Sequence, residues 1–223
     1  MIPLSDSIKS RSFPILVLLV IAINIYVFFL EITSADPEGF IRKYALIPAE
    51  LSIGTVRSLL SLITSMFLHG GWLHIGSNML FLWVFGDNIE DALGKLRFFI
   101  FYMLCGIAAG LMQYIIDPSS TIPMVGASGA IAGVLGAYWS LYPTSRINTL
   151  IPIGFFVTTA EIPAGIMIGL WFLIQLLSGS ASIANTTASS GGVAFWAHIG
   201  GFIAGLILVR VFPPKKPTFW KVD

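Results

Sequence analysis

The feature that most constrains the fold is a series of six apolar stretches. They run approximately over residues 13–29, 72–88, 96–116, 128–142, 162–177 and 193–212. A helix that crosses a bilayer needs roughly 20 apolar residues at a rise of 1.5 Å each. Only 10% of the residues are charged, whereas a soluble domain carries about 25%. We therefore predict an all-α membrane protein, built as a six-transmembrane-helix bundle.

Lysine and arginine are distributed unevenly between alternate connections. The cytoplasmic side of a membrane protein carries the excess of these residues in short loops. With a cytoplasmic N-terminus, nine basic residues fall on the cytoplasmic side: Lys9, Arg11, Lys95, Arg97, Arg146, Arg210, Lys215, Lys216 and Lys221. The other three, Arg42, Lys43 and Arg57, lie in the first outer loop. We therefore predict that both termini are cytoplasmic.

The connections predict a single membrane domain over residues 1–223. It has a cytoplasmic N-terminus (1–12), a long outer loop (30–71) and a cytoplasmic tail (213–223). The outer loop is too apolar for a solvated linker, so we expect it at the membrane interface, and we expect residues 147–161 at the cytoplasmic interface. Residues 178–192 have the serine- and glycine-rich composition of a flexible loop.

The first apolar stretch exceeds the 7–15 residues of a signal peptide's core, which indicates a retained anchor.

Four polar residues fall at one depth once the helices are oriented. Ser128 begins the fourth stretch, and His198 lies about five residues, or roughly 8 Å, into the sixth. His74 and Asn78 lie near the outer end of the second stretch, at i and i+4 on one helix face. Polar side chains inside a bilayer are costly and usually functional. This layer in the outer leaflet is the candidate site.

These residue types suit acyl transfer. Serine becomes a nucleophile when a neighbouring base, most often histidine, removes its proton. The Ser128 N–H lies at a helix N-terminus, where the backbone donors are unpaired and negative charge is favoured. His74 and Asn78 can add donors to an oxyanion hole. Because no Asp or Glu lies in this layer, we expect a catalytic pair rather than a triad.

Other features of the sequence bear on packing and on excluded chemistry. Gly129 and Gly133 are one turn apart, as are Gly201 and Gly205, a pattern that lets helices approach closely. The pair His69 and His74 lacks the zinc-protease motif and an intramembrane carboxylate, so we predict neither metal nor cofactor. A net charge of +1 gives no indication of a nucleic-acid partner, and a single cysteine allows no intrachain disulfide.

Three separated motifs resemble the rhomboid family of intramembrane serine proteases. They are LHGGWLHIGSNML at 68–80, GASGA at 126–130 and AHIGGF at 197–202, and the resemblance covers about residues 59–208. It implies a compact six-helix bundle with a short, serine-bearing helix at the bottom of a water-filled cavity. It further implies an endopeptidase that cuts transmembrane segments of single-span proteins near the outer face. The substrate helix would enter between the second and fifth spans.

Carried over by position, the resemblance makes Ser128 the nucleophile and His198 the general base. It places His74, Asn78 and the Ser128 N–H in the oxyanion hole, and makes His69 structural or cavity-lining. Glu90, with Gly94 and Arg97, resembles a structural cytoplasmic turn, and residues 178–192 resemble a flexible cap. Because we find no added domain or transit peptide in the sequence, we expect a prokaryotic plasma membrane, with a eukaryotic organelle as the alternative.

The chain departs from the family pattern at two places. A Trp-Arg pair that anchors the first loop in many members is replaced by Leu60 and Ser61. An aromatic residue that stacks on the base in many members is replaced by Ala132, and Phe195 or Trp196 could take its role.

Two other functions compete with proteolysis. A rhomboid-like adaptor would bind membrane clients without cutting them, but such proteins lack the serine and histidine that this chain keeps. A small channel or transporter would use the polar layer as a pathway, but neither paired intramembrane carboxylates nor inverted repeats are found.

Overall fold

The computed structural model describes residues 1–154, 156–184, 194–212 and 214. Within these residues the helices are α1 (Ile15–Ile32), α2 (Pro37–Tyr44), α3 (Pro48–Leu51), α4 (Val56–Thr64), α5 (Trp72–Leu93), α6 (Lys95–Ile116), α7 (Ser128–Leu141), α8 (Ala164–Ala184) and α9 (Phe195–Val211), with a 3₁₀ turn at Ser65–Phe67. The strands are β1 (Ile2–Asp6), β2 (Arg146–Ile153) and β3 (Phe156–Pro163). The predicted helical bundle is confirmed, and each predicted apolar stretch corresponds to one helix.

The helices differ in their capacity to cross a membrane. Among the described residues, three are long and apolar enough: α1, α6 and most of α8. A fourth candidate combines α5 with the segment Val56–Phe67, which is bent by 79° relative to α5. Helix α7 has 14 residues and α9 has 17. The count of six crossings therefore stays a prediction.

Helix α7 lies at the centre of the bundle. Residues 129–138 are all buried, against α5, α6 and α9. A helix that is small or apolar on every side can be surrounded by other helices, and this explains why a short helix is stable here. The Ser128 end of α7 is consequently held from several directions.

The glycine pairs bring α7 and α9 into backbone contact, as the sequence predicts. A Cβ atom on Gly201 would collide with the carbonyl oxygen of Gly129, and one on Gly205 would collide with that of Gly133. Because the obstructing atoms belong to the backbone, no side chain can move away to relieve the overlap. Only glycine allows these two helices to approach this closely.

Hydrogen bonds hold the predicted outer loop (residues 30–71) in place, although the Trp-Arg pair is absent. Arg57 donates hydrogen bonds to the carbonyl oxygens of Arg42 (3.0 Å) and Lys43 (3.3 Å), which lie at the end of α2. The Thr64 hydroxyl donates to the carbonyl oxygen of Tyr44 at 2.7 Å. Side chains of α4 therefore anchor this loop through hydrogen bonds that do not involve Leu60 or Ser61.

A three-stranded antiparallel sheet was not predicted from the sequence. Its order is β1-β2-β3, with Ile2 opposite Leu150 and Arg146 opposite Pro163. Gly154, at φ +61°, forms the turn between β2 and β3. Residues 147–161, which were expected to form a connection at the cytoplasmic interface, belong to a hairpin to which the N-terminal strand is added. Glu161 lies in β3, exposed and 3.7 Å from Arg146.

Asp6 links this sheet to the helical bundle. Its carboxylate accepts hydrogen bonds from the Tyr138 hydroxyl of α7 at 2.5 Å and from the Asn88 amide of α5 at 2.7 Å. Burial raises the pKa of the Asp6 carboxyl from about 3.8 to about 6. The end of β1 is therefore attached to the helix that carries Ser128, at the opposite end of that helix.

Glu90 supports the start of α1, in agreement with its predicted structural role. It is 1% exposed, and its two carboxylate oxygens accept hydrogen bonds from the backbone N–H groups of Leu16 (3.2 Å) and Val17 (2.8 Å). These are the unpaired donors of a helix N-terminus. Gly94, at φ +79°, lies between α5 and α6 and permits the sharp turn.

The predicted end of the fifth apolar stretch was wrong. We expected it to stop near Leu177, but α8 continues to Ala184. The first part of the predicted flexible loop is therefore helical. Residues 185–192 of that loop, with the cap role assigned to them, lie outside the described residues, as does most of the predicted tail.

Candidate functional site

Ser128 and His198 are directly hydrogen-bonded. The Ser128 hydroxyl oxygen lies 2.8 Å from Nε2 of His198, although the two residues are 70 positions apart in the chain. Ser128 is the first residue of α7 and His198 lies in the first turn of α9, so the α7–α9 contact aligns them. Neither residue is fully buried. A hydroxyl and a ring nitrogen at this distance can exchange a proton.

A third side chain contacts the histidine, and the sequence analysis missed it. The side-chain oxygen of Gln175, on α8, lies 2.8 Å from Nδ1 of His198. Gln175 is 7% exposed. From the sequence, only a carboxylate was considered as a partner for His198, and none lies in this layer. The available signal was a single amide inside the fifth apolar stretch.

The aromatic neighbour of His198 is Trp171, which corrects the expectation of Phe195 or Trp196. The rings of Trp171 and His198 have centroids 5.9 Å apart and planes inclined by 38°. Trp196 instead donates its indole N–H to the carbonyl oxygen of Gly179 at 3.1 Å. Trp171 and Gln175 are at i and i+4 on α8, so one helix face supplies both contacts with the imidazole.

His74 lies beside the start of α7. A Cβ atom on Gly126 would be 2.7 Å from Nε2 of His74 and 3.6 Å from the Ser128 hydroxyl oxygen. Gly126 has φ +122°, so glycine is required there both for the backbone conformation and for space. The N–H of Gly70 donates to Nδ1 of His74 at 3.4 Å. This bond favours a hydrogen on Nε2, which leaves that atom as a donor near Ser128.

Asn78 is buried one turn further along α5. Its side chain is 6% exposed, and its amide nitrogen has no hydrogen-bond partner among the described residues. A buried donor without a partner costs about 1–3 kcal/mol. Such a donor is an uncommon feature in a folded protein and is explained if it serves a bound group.

His69 is fully buried next to His74. Its backbone N–H donates to the Glu31 carboxylate at 3.1 Å, and the two imidazole centroids are 5.1 Å apart. In the described part of the chain, no three His, Cys, Asp or Glu side chains are grouped so that they could hold a metal ion. The side chains in contact at Ser128 and His198 are a hydroxyl, an imidazole and an amide, which are groups suited to nucleophilic and acid–base chemistry.

Comparison with known proteins identifies the family to which this chain is related. The model of the Rhomboid domain matches residues 56–215. The chain belongs to the rhomboid family. The matched region includes α4 to α9 and contains the residues of the candidate site. The three sequence motifs indicated a similar extent, about residues 59–208.

Several rhomboid proteins are similar to this chain over much of its length. Rhomboid protein 1, mitochondrial, of Saccharomyces cerevisiae is 31% identical over 172 residues, which cover 75% of this chain and 45% of the yeast protein. Rhomboid protease GluP of Bacillus subtilis is 30% identical over 209 residues, 93% of this chain and 37% of GluP. RHOMBOID-like protein 5 of Arabidopsis thaliana is 30% identical over 156 residues, 66% of this chain and 42% of that protein. The chain thus spans less than half the length of these rhomboid relatives.

Proposed function

We propose that this chain is an intramembrane serine endopeptidase that cleaves transmembrane segments of other membrane proteins. The observation that carries the proposal is the 2.8 Å contact between the Ser128 hydroxyl and Nε2 of His198. A nucleophile paired with a base is the arrangement that acyl transfer needs. The name of the Bacillus relative, a rhomboid protease, agrees with this activity.

The reaction would proceed through an acyl-enzyme. His198 takes the Ser128 proton on Nε2 while the serine oxygen bonds to the substrate carbonyl carbon. The protonated imidazole then gives that proton to the departing amine as the C–N bond breaks. Water, deprotonated by His198, attacks the ester and frees Ser128. The reaction requires no group beyond the chain, the peptide and water.

The developing oxyanion would be bound by three donors. They are the Ser128 N–H at the α7 N-terminus, Nε2 of His74 and the amide of Asn78. The Asn78 nitrogen supports this role, because substrate would supply the acceptor that the described residues do not provide. One such donor is worth about 2.7–4 kcal/mol in the transition state.

The substrate would be a single-span protein that enters laterally between α5 and α8. Helix α5 contributes His74 and α8 contributes Gln175, so a segment between these helices reaches Ser128. Trp72 and Leu73, at the start of α5, are 72% and 90% exposed. These apolar side chains fit lipid or a substrate helix. The substrate must unwind locally, because a helical peptide bond is hydrogen-bonded and shielded.

The site would face the outside of the membrane, with both termini cytoplasmic. The nine-to-three distribution of basic residues supports this orientation. We propose a prokaryotic plasma membrane as the location. Similar proteins include mitochondrial and chloroplastic ones, so fractionation of native membranes is the measurement that assigns the compartment.

Labelling by a fluorophosphonate probe tests the proposed chemistry. The purified chain should react at Ser128, and Ser128→Ala and His198→Ala should abolish or strongly slow the reaction. Ser180→Ala is a matched control, because Ser180 is exposed on α8 and donates only to the carbonyl oxygen of Leu176. Circular dichroism establishes that each variant is folded. Full labelling of the folded His198→Ala protein would show that the imidazole does not activate the serine.

Cleavage is tested separately with a panel of single-span reporter proteins. Co-expression with the unaltered chain should release fragments cut near the outer end of the span, and Ser128→Ala should release none. Mapping the new termini gives the cleavage position. Fragments that persist with the folded Ser128→Ala protein would refute the nucleophile assignment.

A further inference from the structure

We infer that Gln175 is a positioning residue that fixes both the orientation and the tautomer of His198, in the place where other serine proteases use a carboxylate. The inference rests on the proposed function and adds a third residue, on a third helix, to the Ser128–His198 pair. Among the described residues, the Gln175 side chain forms hydrogen bonds with His198 and with the carbonyl oxygen of Trp171 on its own helix. It would act only through the histidine ring, by its 2.8 Å contact with Nδ1.

The orientation of the Gln175 amide is set by its own helix. Its Nε2 group donates to the carbonyl oxygen of Trp171, one turn earlier, at 3.4 Å. With the nitrogen directed at the backbone, the oxygen is left facing His198. An amide oxygen only accepts hydrogen bonds, so Nδ1 of His198 must carry the hydrogen in this contact.

The tautomer of His198 decides whether it can act as a base. With hydrogen on Nδ1, the lone pair of Nε2 faces the Ser128 hydroxyl and can receive its proton. If the Gln175 amide were reversed, its NH₂ group would face Nδ1 and the ring hydrogen would lie on Nε2. That hydrogen would then point at Ser128, and the base would be blocked. The backbone bond to Trp171 therefore favours the active form.

A buried amide at this site costs less desolvation free energy than a buried carboxylate would. An ionised carboxylate buried in a membrane protein carries a large desolvation penalty. A neutral amide accepts the same hydrogen bond without burying a charge. It also stabilises the protonated imidazole less than a carboxylate does. Gln175 would therefore give orientation and tautomer control, with a smaller electrostatic contribution.

Trp171 lies beside the same ring. Its ring centroid is 5.9 Å from that of His198 and the two planes are inclined by 38°, so the indole limits the space in which the imidazole can rotate. Gln175 and Trp171 are one turn apart on α8, and therefore α8 supplies both restraints. This dual contact takes over the role of the aromatic residue that Ala132 replaces.

Three variants of Gln175 and one control variant test the inference. The measurements are the rate of fluorophosphonate labelling and the kcat and KM for a cleaved reporter. Gln175→Leu and the longer Gln175→Met remove the acceptor and should lower kcat and the labelling rate about 100-fold, with KM little changed, since ring positioning acts on chemistry. Gln175→Glu keeps an acceptor at the same place and should retain most of the rate above neutral pH. Gln113→Leu makes the same exchange on α6 and should leave both rates unaltered.

The pH profile separates positioning from a structural role. A carboxylate at residue 175 favours the protonated imidazole, so Gln175→Glu should move the acid limb of the labelling profile to higher pH. Among the described residues, His74 on α5 also interacts electrostatically with His198. This interaction is the same in the unaltered chain and in the Gln175→Glu variant, so it does not affect the comparison. A residue that only packs would not move this limb.

The outcomes distinguish this inference from the proposed function. If the unaltered chain does not label at Ser128, the proposed function fails. If it labels, and folded Gln175→Met labels at the same rate, Gln175 does not position the base. Should both apolar variants fail to fold, Gln175→Glu decides alone, and an unmoved acid limb overturns the inference.

Discussion

Replacement of Gly201 by alanine probes how the α7–α9 contact controls the chemistry. The added Cβ would collide with the carbonyl oxygen of Gly129. Both contacting positions adjoin the candidate site: Gly129 follows Ser128, and Gly201 lies about one turn, roughly 4.5 Å, from His198. The helices must therefore separate at the point where the serine and histidine meet.

The expected losses of reaction rate and of stability in Gly201→Ala follow from the structure. Relief of a collision with a backbone oxygen requires a displacement on the order of 1 Å, which would lengthen the 2.8 Å serine–histidine contact beyond hydrogen-bonding range. A misplacement of about 1 Å costs roughly 100-fold in rate. Overpacking costs about 1–3 kcal/mol in stability, and the better helix propensity of alanine offsets up to about 1 kcal/mol of that. Activity should therefore fall much more than stability.

The assay compares labelling rate and thermal unfolding in detergent for Gly201→Ala and a matched control. Gly169→Ala is suitable, because a Cβ on Gly169 meets only the Trp139 indole nitrogen at an ordinary 3.8 Å. The control should keep its labelling rate, and it should unfold at the same or a slightly higher temperature, because alanine favours a helix more than glycine does. If Gly201→Ala labels as fast as the control while folded, close approach at this position does not set the geometry of the site.

Three further predictions concern the oxyanion hole, the helix cap and the N-terminal strand. Asn78→Ala should lower kcat about 100- to 1,000-fold without loss of thermal stability, since its amide nitrogen has no hydrogen-bond partner among the described residues; a full rate would contradict the proposed oxyanion-hole role. Glu90→Gln replaces one of two accepting oxygens with a donor, so the free energy of unfolding should fall by about 1–3 kcal/mol, and an unchanged unfolding temperature would contradict the capping role. Because burial raises the pKa of Asp6 to about 6, the folded state binds this proton more tightly than the unfolded state, and this contribution to stability is lost as pH rises from about 4 to above 6. The Asp6→Asn variant should lack this part of the pH dependence in unfolding experiments, and equal pH dependence in both proteins would refute it.

The sequence was informative wherever the controlling interactions are local. Apolar length located the helices α1 and α5 to α9, because burial in lipid and backbone hydrogen bonding within one segment decide where such helices form. The depth of a residue follows from its distance along a helix, so Ser128 and His198 could be assigned to one layer. The spacing of Gly201 and Gly205 likewise indicated close helix contact before any partner was known.

Contacts between distant segments were decided by the tertiary structure alone. Nothing in the local sequence indicates that β1 adds to β2, since strand pairing joins residues more than 140 positions apart. Gln175 and Trp171 looked like ordinary residues of an apolar helix, because only the rotation of α8 about its axis determines that they face His198. A sequence specifies which groups lie at a given depth; packing specifies which of them point at one another.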